Sequence, residues 1–153
     1  MSMEPERLEH LKMIQAVIAR MAQNSFLLKG WSVTLATGML AVAIGEKQQG
    51  FALLGLLPAL AFWGLDAFYM RQEKLFRAHH EDMCAAFGTS PVTFSMDTSQ
   101  ALARTPSWVR MLVTKTVVGL HVPILVVILT VGVFVNPRIR AAVAGCVGSI
   151  VRP

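Results

Sequence analysis

Asp66 lies four residues inside the end of an apolar run, residues 50–70. A carboxylate in hydrocarbon is costly unless it meets a partner, a protein interior or water, so an acid in such a run marks a functional or structural position. Lys29 sits about as far from the outer end of the preceding apolar run, residues 25–45. A hairpin turning at Glu46, Lys47, Gln48 and Gln49 would bring Lys29 and Asp66 to one depth. Lys115, near the start of a third apolar run, falls in the same leaflet. Two chemistries are open to this polar cluster of Lys29, Asp66 and Lys115. One is an intramembrane ion pair, Asp66 with Lys29 or Lys115, that fixes helix register. The other is the lining of a path or a lipid-headgroup pocket, where one carboxylate against two ammonium groups suits anions or phosphates. Trp31, Trp63, Tyr69 and Trp108 gather at that leaflet as interfacial aromatics.

A second group, His79, His80, Glu81, Asp82, Met83 and Cys84, contains metal-ligating types. His80 and Cys84 are four apart and share a helix face. A structural zinc site needs four ligands, and no second ligand pair occurs elsewhere, so this stretch reads as a charged, solvated helix end. Asp66 and either histidine would be about 20 Å apart along one helix at 1.5 Å per residue, too far for a catalytic pair. Gly-rich phosphate loops, nucleophile elbows and HExxH are absent from the sequence. These readings point to no catalytic residue, no metal and no cofactor.

The elements that must hold these residues are helical. Residues 5–24 read as an amphipathic helix, with Leu8, Leu11, Ile14, Val17, Ile18 and Met21 at three- and four-residue spacing and Pro5 in its first turn. It packs on a core or lies on the membrane interface. The first span, residues 25–45, measures about 31 Å as a helix, enough for a bilayer; Asn24 and Ser25 could cap it or bend the chain. The second span, residues 50–70, has Pro58 as a candidate kink and continues as one helix to about residue 87. Leu65, Tyr69, Phe76, His80, Met83 and Phe87 mark one face of that helix, and its protruding half could pack on the N-terminal helix. A polar connector, residues 88–107, has room for one helical turn at residues 98–104. The third span covers residues 108–135, apolar from Met111 and holding Lys115, His121 and Pro123. The tail, residues 138–153, is too short to cross and reads as an interfacial segment. The fold expected is all-α and integral to the membrane, as a single membrane domain.

Composition agrees. Apolar residues make up 54% of the 153 and charged residues 15%, against about 25% charged in soluble domains. The mean hydropathy is +0.55. The net charge of +5 suits anionic lipid headgroups, and with no basic patch interleaved with aromatics, nucleic acid is not expected as a partner. Cys84 and Cys146 fall on opposite sides of the expected topology, so two free thiols are expected. The acidic, polar N-terminus lacks the pattern of a cleaved signal. Arg7, Lys12 and Arg20 precede the first span, and Arg71, Lys74, Arg77, Arg104 and Arg110 flank the connector, whereas the turn has only Lys47. The positive-inside rule then places the N-terminus and connector in the cytoplasm. The tail lies outside despite Arg138, Arg140 and Arg152, or returns inside if the third segment is re-entrant.

Two stretches occur together: Asn24-Ser25-Phe26-Leu27-Leu28-Lys29-Gly30-Trp31 opens the first span, and Leu65-Asp66-Ala67-Phe68-Tyr69-Met70-Arg71-Gln72-Glu73-Lys74-Leu75-Phe76-Arg77 closes the second. With Phe94-Ser95-Met96 and Ser107-Trp108, the chain resembles small bacterial multi-pass inner-membrane proteins associated with mobile elements and antiphage defence loci. The resemblance implies a helical inner-membrane protein, with Lys29 and Asp66 in recurrent motifs and no catalytic residues. The leading expectation is a non-enzymatic component that forms a homo-oligomer among membrane lipids and perturbs or gates the membrane on receiving a signal. The alternative is a scaffold that recruits a cytoplasmic protein partner. A third class, a small transporter or membrane enzyme, would use Asp66 to handle protons.

Overall fold

The computed structural model describes residues 5–86 and 94–137, with 139 and 141. These residues are helical throughout apart from short joints, with no strand among them. The elements are α1 (Pro5–Glu46), α2 (Gln49–Leu54), α3 (Leu56–Ala85), a 3₁₀ turn (Ser99–Arg104), α4 (Trp108–Leu112) and α5 (Lys115–Val135). Three helical stretches are long and apolar enough to cross a membrane: α1, the run Gln49–Ala85, and α5. At most 28% of the most apolar window of any of them is buried. Apolar surface left open on that scale marks contact with a membrane or another protein.

α1 runs for 42 residues without a break. Glu6 in its first turn suits the positive end of the helix dipole. Neither proline nor glycine follows until Gly30, so nothing interrupts it at Asn24 and Ser25, where a cap or a bend was expected. Ser25 turns its hydroxyl to another helix instead of capping its own. α1 ends in a Schellman-type stop: Lys47 takes a left-handed φ of 55° and the Gln48 amide donates to the Ala43 carbonyl at 3.2 Å. The expected polar turn is therefore present.

The second hydrophobic run breaks at Gly55, three residues before the expected kink. Pro58 has no amide hydrogen and its ring would meet the Leu54 carbonyl, so α2 closes there and Pro58 falls in the first turn of α3. Gly55 allows a close approach: a Cβ would stand 3.1 Å from the Ala52 carbonyl oxygen and 3.4 Å from Met39 Cβ. α3 continues to Ala85, as periodicity led one to expect, and a 3₁₀ turn occupies the helical part expected of the connector. The third run differs from the single helix expected over residues 108–135. It divides at Val113 and Thr114 into α4 and α5. The tail from residue 138 lies almost wholly outside the described residues, as does Cys146.

The chain forms two compact units. The first takes in Met1–Leu28 and Gly64–Val117; the second takes in Lys29–Trp63 and Val118–Pro153. In the first, Ile14, Ala67, Leu75, Ala101, Met111 and Val117 are buried. The N-terminal part of α1 thus packs on a core, but with its buried face turned: His10 and Ile14 are inside, Leu8 is exposed, and Leu11, Val17, Ile18 and Met21 are half-buried. On the part of α3 that belongs to this unit the buried residues are Asp66, Ala67, Leu75 and His79, whereas Leu65 is exposed and Tyr69, Phe76, His80 and Met83 are half-buried. In the second unit the core is Ala36, Ala59 and Ile128, packed by Leu40, Leu56, Ile124 and Leu125. Asn136 Nδ2 donates to Gln49 Oε1 at 2.8 Å in that unit.

Candidate functional site

Asp66 is fully buried in the first unit. Its Oδ1 accepts a hydrogen bond from Ser25 Oγ at 2.5 Å. Ser25 is itself buried. A serine in a helix interior commonly turns to its own backbone carbonyl; here it binds α1 to α3 at the level of the acid. Lys29 is half-buried one turn beyond Ser25 on the same face of α1 and belongs to the second unit. Lys115, the first residue of α5, is exposed and forms no ion pair among the described residues, so it is not held to Asp66 as a salt bridge.

The interfacial aromatics divide between roles. Trp31 is exposed on α1. Trp63 stacks on buried His121 in the second unit, the planes 4° apart and the centroids 5.9 Å apart. Tyr69 meets Phe68 edge-on. Trp108 donates its indole N–H to the Gly64 carbonyl at 3.0 Å, pinning α4 to α3.

A second polar centre was not foreseen. His10 on α1 and His79 on α3 are both buried, and each places Nε2 3.0 Å from one acceptor, the carbonyl oxygen of Ser95. A carbonyl accepts only, so both rings carry hydrogen on Nε2. The rings stand edge to face with centroids 6.4 Å apart, and Phe94 covers His10 at 5.5 Å. The connector is thereby clamped to both helices. Its next residues form a local cap: the Ser99 amide and hydroxyl donate to the two Asp97 carboxylate oxygens, each at 2.9 Å. The Ser99 amide, then its hydroxyl, hold the Asp97 carboxyl below the usual range against a small opposing effect of burial, with His79 adding in the same direction. Arg104 pairs with Asp82 on α3, and Arg7 on α1 donates to the Ala86 carbonyl.

The histidine and cysteine group is thus dispersed in use. His79 faces inward to Ser95, while His80 meets the Gln15 amide at 3.3 Å and Cys84 Sγ at 3.7 Å. Cys84 is an exposed free thiol. Among the described residues no three His, Cys, Asp or Glu side chains could hold a metal ion. Beside His80 a shallow groove of about 430 Å³ runs between the helices of the first unit, lined by Gln15, Ile18, Ala19, Ala22, Arg77 and Glu81. Arg77 is engaged with Glu73 at 2.7 Å.

Ser25 could have been found from the sequence, because Ser25 and Ser32 are seven residues apart and so share one face of an apolar helix; both are buried. The Ser95 and Gly64 carbonyls could not, since every residue has one. Fold and sites together define an all-helical chain with three helices of membrane-crossing length and a clamped polar connector. Comparison with protein-family models, curated proteins and solved structures finds no match.

Proposed function

We propose that the protein is a non-enzymatic component of the bacterial inner membrane whose first unit docks a cytoplasmic partner. One observation carries this reading. The helices of the first two spans exceed the roughly 20 residues that a bilayer requires, and their surplus builds a unit with its own core and an open groove. A unit that served only to anchor the chain would not need that groove. The buried Ser25–Asp66 bond, with Lys29 as the proposed counter-charge of Asp66, sets the register of the helices that present it. Nothing in the groove supplies a nucleophile with a base and an oxyanion site together, which favours binding over chemistry.

Site-specific photocrosslinking in intact cells tests the docking. A photoreactive residue at Ala19, in the groove, should yield an adduct with a soluble protein, and one at exposed Val126 on α5 should not. Equal labelling at both positions, or none at Ala19, refutes the reading.

A second reading has its own observation. Among the described residues, nothing beyond the local helix backbone stands within 4 Å of where a Cβ would be at Gly30, Gly38 and Gly45, and Thr34 is exposed among them. Such a face lets another helix approach closely. It favours a homo-oligomer that perturbs or gates the membrane, including as an antiphage effector. A Gly38→Cys variant lacking the other cysteines should then form a disulfide dimer in membranes. Induced expression should also depolarise cells, an effect that Gly38→Leu removes. A monomer under oxidation and an unchanged potential would dispose of this reading.

A further inference from the structure

α4 departs from the expected third span in a way that gives it a task. Only Val113 and Thr114 separate it from α5, and it is tied at its start to α3 by two side-chain bonds. Trp108 Nε1 donates to the Gly64 carbonyl at 3.0 Å, and Arg71 Nε donates to the Pro106 carbonyl at 3.2 Å. Ser107 caps the short helix through the Arg110 amide. These tethers fix the depth of α4 along α3. Arg71 is the first basic residue after the apolar run, and Gly64 precedes it by seven positions, about 10 Å at 1.5 Å per residue. If α3 crosses a membrane as read above, Gly64 lies below the headgroups and α4 lies at the boundary between headgroups and acyl chains.

The side chains of α4 fit that depth. Met111 is fully buried and fastens the helix to the first unit. Val109 and Val113 are 64% and 70% exposed, and Trp108 is 43% exposed. Leu65 and Phe68 on α3, at the depth of the tether, are exposed as well. Arg110 and Lys115 are exposed beside these apolar side chains, and residues 105–117 contain no acid. Apolar side chains flanked by basic ones whose stems are long enough to reach the phosphates are the composition of an element lying in the interface plane. A guanidinium presents a planar donor fork that matches phosphate, and nearby basic residues gain from a negatively charged leaflet.

We propose that α4 is an in-plane anchor that seats the protein on anionic phospholipid, with Trp108, Val109 and Val113 in the acyl boundary and Arg110 and Lys115 on the phosphates. The proposal rests on the membrane reading of the three long helices. It extends that reading by assigning a lipid class and a site.

The test uses the full chain in lipid nanodiscs, with phospholipids brominated near the top of the acyl chain as quenchers. In a Trp31→Phe, Trp63→Phe protein, the fluorescence of Trp108 should be quenched by brominated lipid and protected from aqueous iodide. Because Trp63 stacks on His121, the difference between the unmodified chain and Trp108→Phe provides the same contribution without those changes. At equal mole fractions, brominated phosphatidylglycerol should quench more than brominated phosphatidylcholine. Arg110→Gln should reduce the lipid preference about five-fold, and adding Lys115→Gln should remove it. A Trp63→Phe, Trp108→Phe protein keeps Trp31 as the reporter of insertion itself. Quenching of Trp31 with Trp108 open to iodide overturns the anchor and leaves the membrane reading intact. Quenching of neither overturns both. A lipid preference unchanged by the double neutralisation overturns the assignment to Arg110 and Lys115.

Discussion

Replacing Ser25 by alanine removes a donor to a carboxylate that has no exposure to solvent. A hydrogen bond to a charged group is worth roughly 1.5–3 kcal/mol, and its loss leaves part of a buried acceptor unsatisfied. Side-chain bonds between helices in membranes measure less, averaging about 0.6 and reaching about 1.7 kcal/mol, because the unfolded helices find other partners. Asp66 is fully enclosed, so the upper part of that range applies, and Ser25→Ala should destabilise by about 1–2 kcal/mol. The assay is a double-mutant cycle of Ser25→Ala and Asp66→Ala, read by reversible unfolding in mixed micelles. The coupling energy should be about 1–2 kcal/mol, with the double variant losing less than the sum of the singles. Asp66→Asn keeps an acceptor oxygen and should retain roughly a third to a half of the coupling, since neutral hydrogen bonds are about half as strong. A coupling below about 0.3 kcal/mol, within the scatter of independent sites, would refute the view that this bond joins the two helices.

The proposed pairing of Lys29 with Asp66 predicts that Lys29→Asp combined with Asp66→Lys restores most of the expression and thermal stability lost by either change alone; a swap as damaging as each single change rejects it. Lys47→Gly should raise stability by about 1 kcal/mol, because a left-handed φ of 55° costs a side chain about 1–2 kcal/mol that glycine escapes, and no gain in chemical denaturation would contradict the turn geometry. His79→Ala leaves the Ser95 carbonyl with one histidine donor, and amide exchange over residues 94–104 should accelerate about ten-fold, the equivalent of about 1.4 kcal/mol of local stability. Asp97 is held below its unfolded value by Ser99, so its contribution is complete above about pH 4, the ordinary Asp value, and is lost as pH falls through the lower folded value. Asp97→Asn should abolish that acid-side loosening of the connector in a pH series of amide exchange.

The positions of the long helices were readable because their signal is local. An apolar run of span length and a short polar interval need no knowledge of neighbours, and α1, α3 and α5 appear where those runs lie. The turn at Glu46, Lys47 and Gln48 was visible for the same reason. Faces were less legible. In the first turns of α1 His10 is buried and Leu8 is not, because the partner surface supplies an acceptor for a ring nitrogen, which periodicity of apolar residues does not register. The breaks shifted likewise. Pro58 does disturb the second run, but the helix yields at Gly55, where glycine also permits close packing against Met39.

What the amino-acid order determined by itself is the amount and spacing of apolar helix: three stretches of membrane-crossing length, with Asp66 inside one of them. That follows from composition along the chain, since backbone polar groups in an apolar setting are satisfied within a helix. What only the tertiary structure decided is where the polar atoms go. Ser25 meets Asp66, two histidines meet one backbone carbonyl, and Trp108 meets another. Backbone acceptors are identical at every residue, so which of them a donor reaches depends on how the helices pack. The separation of α4 from α5 has that origin too, because the tethers of Trp108 and Arg71 hold the chain against α3 before the last helix begins.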